Sequence, residues 1–114
     1  MPLFLQGYYA ILDVKGSSLH LEAALAHASR LLAGEPCCLQ LRGKELGPAE
    51  LCRLGHGLRS LCTARGIPLC LNDRMDVALA VQADAIHLGQ GDLPLADALR
   101  VRQGAGAARM AANL

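Results

Sequence analysis

The feature that most constrains this chain is an alternation: four times between Tyr8 and Arg102 a short apolar, β-prone run gives way to a longer stretch of helical period. The first run covers 8–13. The helix after it repeats Leu21, Leu25, Ala28 and Leu32 at three- and four-residue steps, with Ser18 placed to cap it and Gly34 to stop it. A second run over 37–42 precedes a helix opening at Pro48, a residue suited to the first turn, whose Leu51, Leu54, Leu58, Leu61 and Cys62 form one stripe before Gly66. Gly55 and Gly57 fall inside that helix at about 1 kcal/mol each against alanine, so packing of the leucine stripe must hold it. A third run over 67–71 leads through Asn72, Asp73 and Arg74 into a short helix over 75–82, and a fourth over 85–88 is followed by a helix over 94–102. Beyond that, 104–108 carries too little large apolar surface for a buried strand, and the pattern is expected to fade.

Strand-helix alternation with short loops implies a parallel sheet crossed by helices, and right-handed connections leave a barrel or an open doubly wound sheet. No GxGxxG follows the first strand and no GxxxxGK[ST] occurs, which removes the usual dinucleotide and P-loop forms of the open sheet. A barrel fragment gains weight.

A length of 114 residues suits one domain, 1–114, large enough to bury a core. Although 53% of residues are hydrophobic, no run approaches the roughly 20 apolar residues of a membrane span. The first residues lack the basic region of a secretory signal, so a cytoplasmic location is expected. A net charge of +1 with both signs interspersed gives no field to attract nucleic acid or an anionic membrane, so any anion must be bound locally. Five cysteines, 37, 38, 52, 62 and 70, include no C-x-x-C pair and read as buried thiols in a reducing compartment.

Polar residues gather at the C-terminal ends of three successive strands: Gln40, Arg42 and Lys44, then Asn72, Asp73 and Arg74, then Gln90 and Asp92. That is the face where parallel α/β proteins place their sites. Neighbouring parallel strands lie about 4.8 Å apart, so Asp73 and Asp92 could share a cation, and two carboxylates suit Mg²⁺, which completes its shell with water and phosphate oxygens. Arg42 and Lys44 would face the same phosphates as a fork of donors and a point charge. Each residue also has a plainer reading. Asp73 and Asp92 could cap the helices that follow them, Arg42 and Lys44 could be solvated surface cations, and His87 could be a hydrogen-bonded core residue, while His20, His27 and His56 read as helix-surface residues. Only the joint placement favours a diphosphate site.

The same residues carry a family resemblance. Tyr9-Ala10-Ile11-Leu12-Asp13, Gln40-Leu41-Arg42-Gly43-Lys44, Gly66-Ile67-Pro68-Leu69 with Asn72-Asp73-Arg74-Met75-Asp76-Val77-Ala78, and His87-Leu88-Gly89-Gln90 with Asp92-Leu93-Pro94 resemble the thiamine-phosphate synthase family in order and spacing. The match runs from about residue 7 to 100, leaving 101–114 as a divergent tail. It implies an α/β fold, the parallel (βα)4 half of a TIM-type (βα)8 barrel. It also implies transfer of hydroxymethylpyrimidine from its diphosphate to thiazole phosphate, with release of diphosphate. Carried over by motif, Gln40 reads the aminopyrimidine within a substrate-binding run that includes Leu41 and Gly43. Arg42, Lys44 and Asn72 hold the diphosphate, Arg42 and Lys44 acting as the catalytic cations, and Asp73 and Asp92 hold Mg²⁺. The metal and the two cations would stabilise charge developing on the leaving diphosphate.

Gly43 stands where the family usually has an acidic residue, a change expected to loosen that loop. The family's fifth-strand Gly-x-Ser, its Thr/Lys turn and its later phosphate loops have no counterpart here, so the thiazole phosphate site is expected to be missing. Self-association through open barrel edges is expected in turn. Two other readings stay open: a protein like the related thiazole tautomerases, and a non-catalytic half-barrel that serves as an interaction module.

Overall fold

The computed structural model describes residues 7–89, 91–106 and 110–112. Its elements run β1 (Tyr9–Asp13), α1 (Leu21–Ala33), β2 (Cys38–Arg42), α2 (Pro48–Arg65), β3 (Leu69–Asn72), α3 (Met75–Ala80), β4 (Ala85–His87), α4 (Leu95–Gly104) and β5 (Ala111–Ala112). All neighbouring strands pair in parallel, in the order β1-β2-β3-β4-β5. A doubly wound sheet reverses its strand order at a switch point, whereas an unreversed order with right-handed crossovers keeps every helix on one face. The packing agrees. Ala10, Leu12, Leu39, Leu41, Leu69, Leu71 and Ile86 meet the helical Leu32, Leu54 and Leu58 in one core. The alternate strand residues Cys38, Cys70 and Ala85 form a second, smaller cluster on the other face, with Tyr9, Cys37 and Ala111 against it.

Several boundaries differ from those read in the sequence. His20, not Ser18, precedes the first turn of α1 and no side chain caps it. The entry is fixed instead by Glu50, whose Oε2 accepts the Leu19 N–H at 3.1 Å from the start of α2. Pro48 does open α2, and Gly66, at φ +66°, closes it by donating to the carbonyls of Cys62 and Thr63. The third helix ends at Ala80, because Gln82 turns to φ +56° and the chain leaves the helical path. The fourth helix runs on to Gly104.

The larger correction is a fifth strand in the segment expected to be featureless. Ala111 and Ala112 pair with Ala85 and Ile86, and Met110 beside them is buried. Parallel pairing is made by backbone, and alanine is large enough where Ala85 already fills the neighbouring place.

At the N-terminal ends of the strands Asp84 and Arg59 make a clasp. Asp84 Oδ2 accepts the Leu69 N–H at 2.8 Å and Arg59 Nη1 at 2.8 Å, and the same guanidinium nitrogen donates to the Gln82 carbonyl at 3.0 Å. The clasp joins the starts of β3 and β4 to α2. No helix among the described residues is long and apolar enough to cross a membrane.

The two glycines inside α2 mark where its neighbours press closest. A Cβ on Gly55 would stand 2.9 Å from Val81 Cγ1, and one on Gly57 would stand 2.8 Å from Leu25 Cδ2. Gly55→Ala should therefore destabilise the fold by about 1 kcal/mol or more by overpacking, despite alanine's better helix propensity. Urea unfolding should show that loss, and the pair Gly55→Ala with Val81→Ala should be less destabilised than the sum of the two single changes.

Candidate functional site

Strand register assembles the site. Asp13 lies opposite Arg42, Leu41 opposite Leu71 sets Arg42 level with Asn72, and Asn72 lies opposite His87. Because side chains alternate between faces, these four belong to the face away from the helices, in one row across the C-terminal ends of β1 to β4. One layer below, Ile11, Gln40, Cys70 and Ala85 are aligned in the same way. Leu41 does not join them. Its side chain is buried among the helix-facing leucines, so only its backbone could meet a ligand.

Loops after the strands add the remaining groups. A depression of about 200 Å³ is lined by Gly43, Lys44, Leu51, Asn72, Asp73 and Arg74. A smaller one of about 120 Å³, lined by Asp13, Val14, Lys15, Arg42, Lys44 and Glu45, adjoins it through Lys44. A larger cavity of about 570 Å³ lies at the opposite, N-terminal end of the sheet against Asp84 and Met110, away from this polar row. Gly43 is not loosely held: its carbonyl accepts the Leu46 N–H at 3.2 Å, and a Cβ there would lie 3.0 Å from Leu46 Cδ1.

Asp73 and Asp92 come together from adjacent loops, their carboxyl groups within hydrogen-bonding contact. Asp73 is aimed by an unusual backbone: φ is +70°, and its N–H donates to the His87 carbonyl at 2.8 Å across to β4. Such a left-handed residue is strained, least so for Asp and Asn. Asp92 Oδ2 accepts the Gly89 N–H at 2.6 Å, a fold-back that leaves a Cβ on Gly89 only 3.1 Å from that oxygen. Burial, then the neighbouring Asp92, pushes the Asp73 carboxyl above the ordinary range. The Gly89 N–H, then contact with Asp73, holds Asp92 below it. Lys44 is near enough that its charge favours ionisation of both, yet it is exposed and makes no ion pair among the described residues.

Neither aspartate is a helix cap: Arg74 and Pro94 occupy the positions before α3 and α4, and no side chain caps either helix. Arg74 itself is turned to Asp76, donating through Nε at 3.1 Å and Nη2 at 2.7 Å. Arg42 Nε stands 4.0 Å from Asp13 Oδ2, which also accepts Lys15 Nζ at 2.9 Å. Gln90 lies outside the described residues. Asp13 and His87 share this row, whereas the sequence reading did not single out Asp13 and took His87 as a hydrogen-bonded core residue. The signal was available in the period of two, which puts Asp13, Arg42, Asn72 and His87 on the faces that Leu12, Leu41, Leu71 and Ile86 do not occupy.

The five cysteines are all free, with Cys38, Cys62 and Cys70 buried. Burial pushes the Cys62 thiol up to about 11. Cys38 and Cys70 sit beneath the polar row in contact with each other and with Tyr9. Among the described residues no group of three or more His, Cys, Asp or Glu side chains is placed to hold a metal alone.

Comparison with known proteins decides the family. The thiamine monophosphate synthase family model matches residues 8–107. This chain belongs to that family. It is 40% identical over 92 residues to the thiamine-phosphate synthase of Roseiflexus castenholzii, covering 81% of this chain and 39% of the relative. The Methanospirillum hungatei thiamine-phosphate synthase is 49% identical over 71 residues, 62% of this chain and 34% of that one. Among solved structures, the thiamine phosphate pyrophosphorylase from Pyrococcus furiosus superposes with a TM-score of 0.72 at 29% identity, covering 84% of this chain and 45% of that chain. The fold is thus α/β, five parallel strands alternating with helices that match part of a TIM barrel. The chain spans about a third to just under half the length of these relatives.

Two carboxylates in contact repel when both are ionised, so the pair should be a liability to folding. At neutral pH without divalent cations, Asp73→Asn should leave stability unchanged or raise it by up to about 1 kcal/mol, since asparagine tolerates the left-handed backbone and solvent screens the repulsion. Thermal unfolding in chelator checks this, and a marked loss of stability would make Asp73 a structural residue.

Proposed function

We propose that this chain carries the pyrimidine diphosphate half-site of a thiamine-phosphate synthase, whose reaction joins hydroxymethylpyrimidine diphosphate to thiazole phosphate and releases diphosphate. The observation that carries the reading is the contact between the Asp73 and Asp92 carboxyl groups beside Lys44, whose charge acts on both. Two hard carboxylate donors from adjacent loops fit Mg²⁺, which is commonly held by one or two carboxylates while substrate phosphates and water fill its other positions. That donor set needs no third protein ligand. Bound there, Mg²⁺ would neutralise negative charge on the diphosphate.

The chain's own residues supply the rest. Arg42 and Asn72, level in one row, would offer N–H donors to phosphate oxygens, and Lys44, which lines both depressions, would add a point charge. These cations oppose the charge that grows on the diphosphate as its bond to the pyrimidine methylene lengthens, so their interaction strengthens toward the transition state. Gln40, one layer deeper on the same face, would meet the ring. Five free cysteines support a cytoplasmic setting. Self-association belongs to the same reading: β1 pairs on one side only among the described residues, with Tyr8 and Ile11 exposed beside it.

Calorimetric titration with hydroxymethylpyrimidine diphosphate should show tighter binding with Mg²⁺ than without, and Asp73→Asn or Asp92→Asn should abolish the difference. Lys44→Ala should weaken binding by about 1.5–3 kcal/mol, the scale of hydrogen bonds to charged groups. Equal affinity in all variants, with and without Mg²⁺, would sink the metal assignment. Product formation by the 114-residue chain would show that it holds an acceptor site as well. Sedimentation over a micromolar concentration series should show association, and a monomer throughout would remove that part.

A further inference from the structure

Five large apolar side chains are exposed among the described residues, and all lie at the two ends of the layered sheet: Tyr8 and Ile11 at β1, and Leu95, Leu99 and Val101 on α4. Which flank of each helix is open follows from its neighbours. In α2 the buried Leu54 faces the core; Gly55, one residue on, meets Val81 at the end of α3, while Gly57, three residues on, meets Leu25 of α1. A residue one after or three before a core-facing position thus looks to the next helix, and one three after looks to the previous helix. Leu25, three before the buried Ala28, obeys the same geometry. In α4 the core-facing residue is Ala98, so Leu95 and Leu99 stand on the flank where a next helix would pack, and Val101 on the flank toward α3. Arg102 on the first flank agrees, since its Nη1 donates to the Met110 carbonyl at 2.8 Å, beside β5. At the other end, α1 turns Ala24, His27 and Leu31 away from α2, with His27 exposed and the other two half-buried.

We infer that these two open flanks dock on each other between two copies of the chain, head to tail: α4 of each copy lays its Leu95 and Leu99 ridge on the Ala24 and Leu31 flank of its partner's α1, and the partner's β1 extends the sheet beyond β4 and β5. A leucine ridge against a flank containing a small residue is the usual fit of packed helices. Both halves of the contact are present on one chain, which is what favours a second copy over an unlike protein. The strand order never reverses, so every unit bends the same way, and one chain accounts for just under half of the TIM-barrel chain it matches. Two copies therefore close a ring instead of growing into a filament. Strands of one parallel ring all point the same way, so both polar rows stand at the same rim. Each row becomes the wall opposite the other, and the sheet face that carries Ile11 and Gln40 is enclosed. The pairing deepens the half-site reading by naming its partner: two diphosphate half-sites would face one shared funnel that a single chain leaves open.

The inference rests on the half-site reading for what the funnel holds, and the measurements separate the two. Sedimentation of the 114-residue chain should show a discrete dimer and no larger species. Leu99→Glu places a charge at an exposed position, so the chain should still unfold cooperatively in urea while its dimer dissociates roughly tenfold more readily or beyond, because the contact would bury an unpaired carboxylate. Leu95→Glu should act alike, and Leu99→Met should leave the dimer intact. Mixing Leu99→Glu chains with His27→Arg chains should recover mixed dimers, seen by their mass in native mass spectrometry, because head-to-tail packing sets the two new charges on facing helices. A wild type that stays monomeric, a dimer indifferent to both glutamate variants, or growth into open-ended oligomers would overturn the inference, and a mixture without mixed dimers would overturn the head-to-tail contact. Inorganic diphosphate with Mg²⁺ reads the half-site independently. Binding kept by dissociated Leu99→Glu chains upholds the half-site whatever the pairing, whereas no binding by a dimeric wild type overturns the half-site and leaves the pairing.

Discussion

Everything at the polar end of this molecule depends on how β2 lies against its two neighbours. A strand offers its side chains alternately to two faces, so fixing Leu39 and Leu41 among the helices commits Cys38, Gln40 and Arg42 to the other side. Register with β1 and β3 then sets Arg42 between Asp13 and Asn72, and Gln40 between Ile11 and Cys70. A slip of one residue would bury Arg42 against the leucines of α2 and expose Leu41 to the pocket. The hydrophobic effect fixes this register, and the polar groups inherit their positions from it.

The loops then add what strands cannot. A strand end can present a side chain only along or across the sheet, and bringing carboxylates from two successive loops into contact needs a sharper bend. Asp73 obtains it by entering the left-handed region, held there by the His87 carbonyl, and Asp92 by folding back on Gly89. The first costs backbone strain, and the contact between the two carboxyl groups adds repulsion whenever both are ionised.

Much of this was legible in the sequence because the main signals are periodic. The order of elements, the helix at Pro48 with its stop at Gly66, and the gathering of Arg42, Lys44, Asn72, Asp73 and Asp92 at strand ends follow from apolar spacing and turn chemistry. What was not legible depends on partners far along the chain. Ala111 and Ala112 become a strand only because β4 offers an unpaired backbone edge, and the entry of α1 is set by Glu50, 31 residues after Leu19. The cysteines read as buried thiols, and Cys38, Cys62 and Cys70 are buried, with Cys37 and Cys52 only half so. The faces that the leucines leave vacant put Cys38, Cys70 and Tyr9 on the same side of the sheet as Gln40.

The Asp84–Arg59 clasp gives this layout a longer consequence. It ties β3, β4 and α2 together at the end of the sheet opposite the polar row, with a single carboxylate oxygen meeting a backbone N–H and a guanidinium. The scaffold is thus anchored at its floor while the polar row stands at its rim. Changes in the rim loops leave that anchor intact, so a lineage can lose, alter or rebuild a catalytic loop without first losing the ability to fold. An architecture divided in this way can outlast the activity it was selected for, and it keeps a foothold from which another can arise.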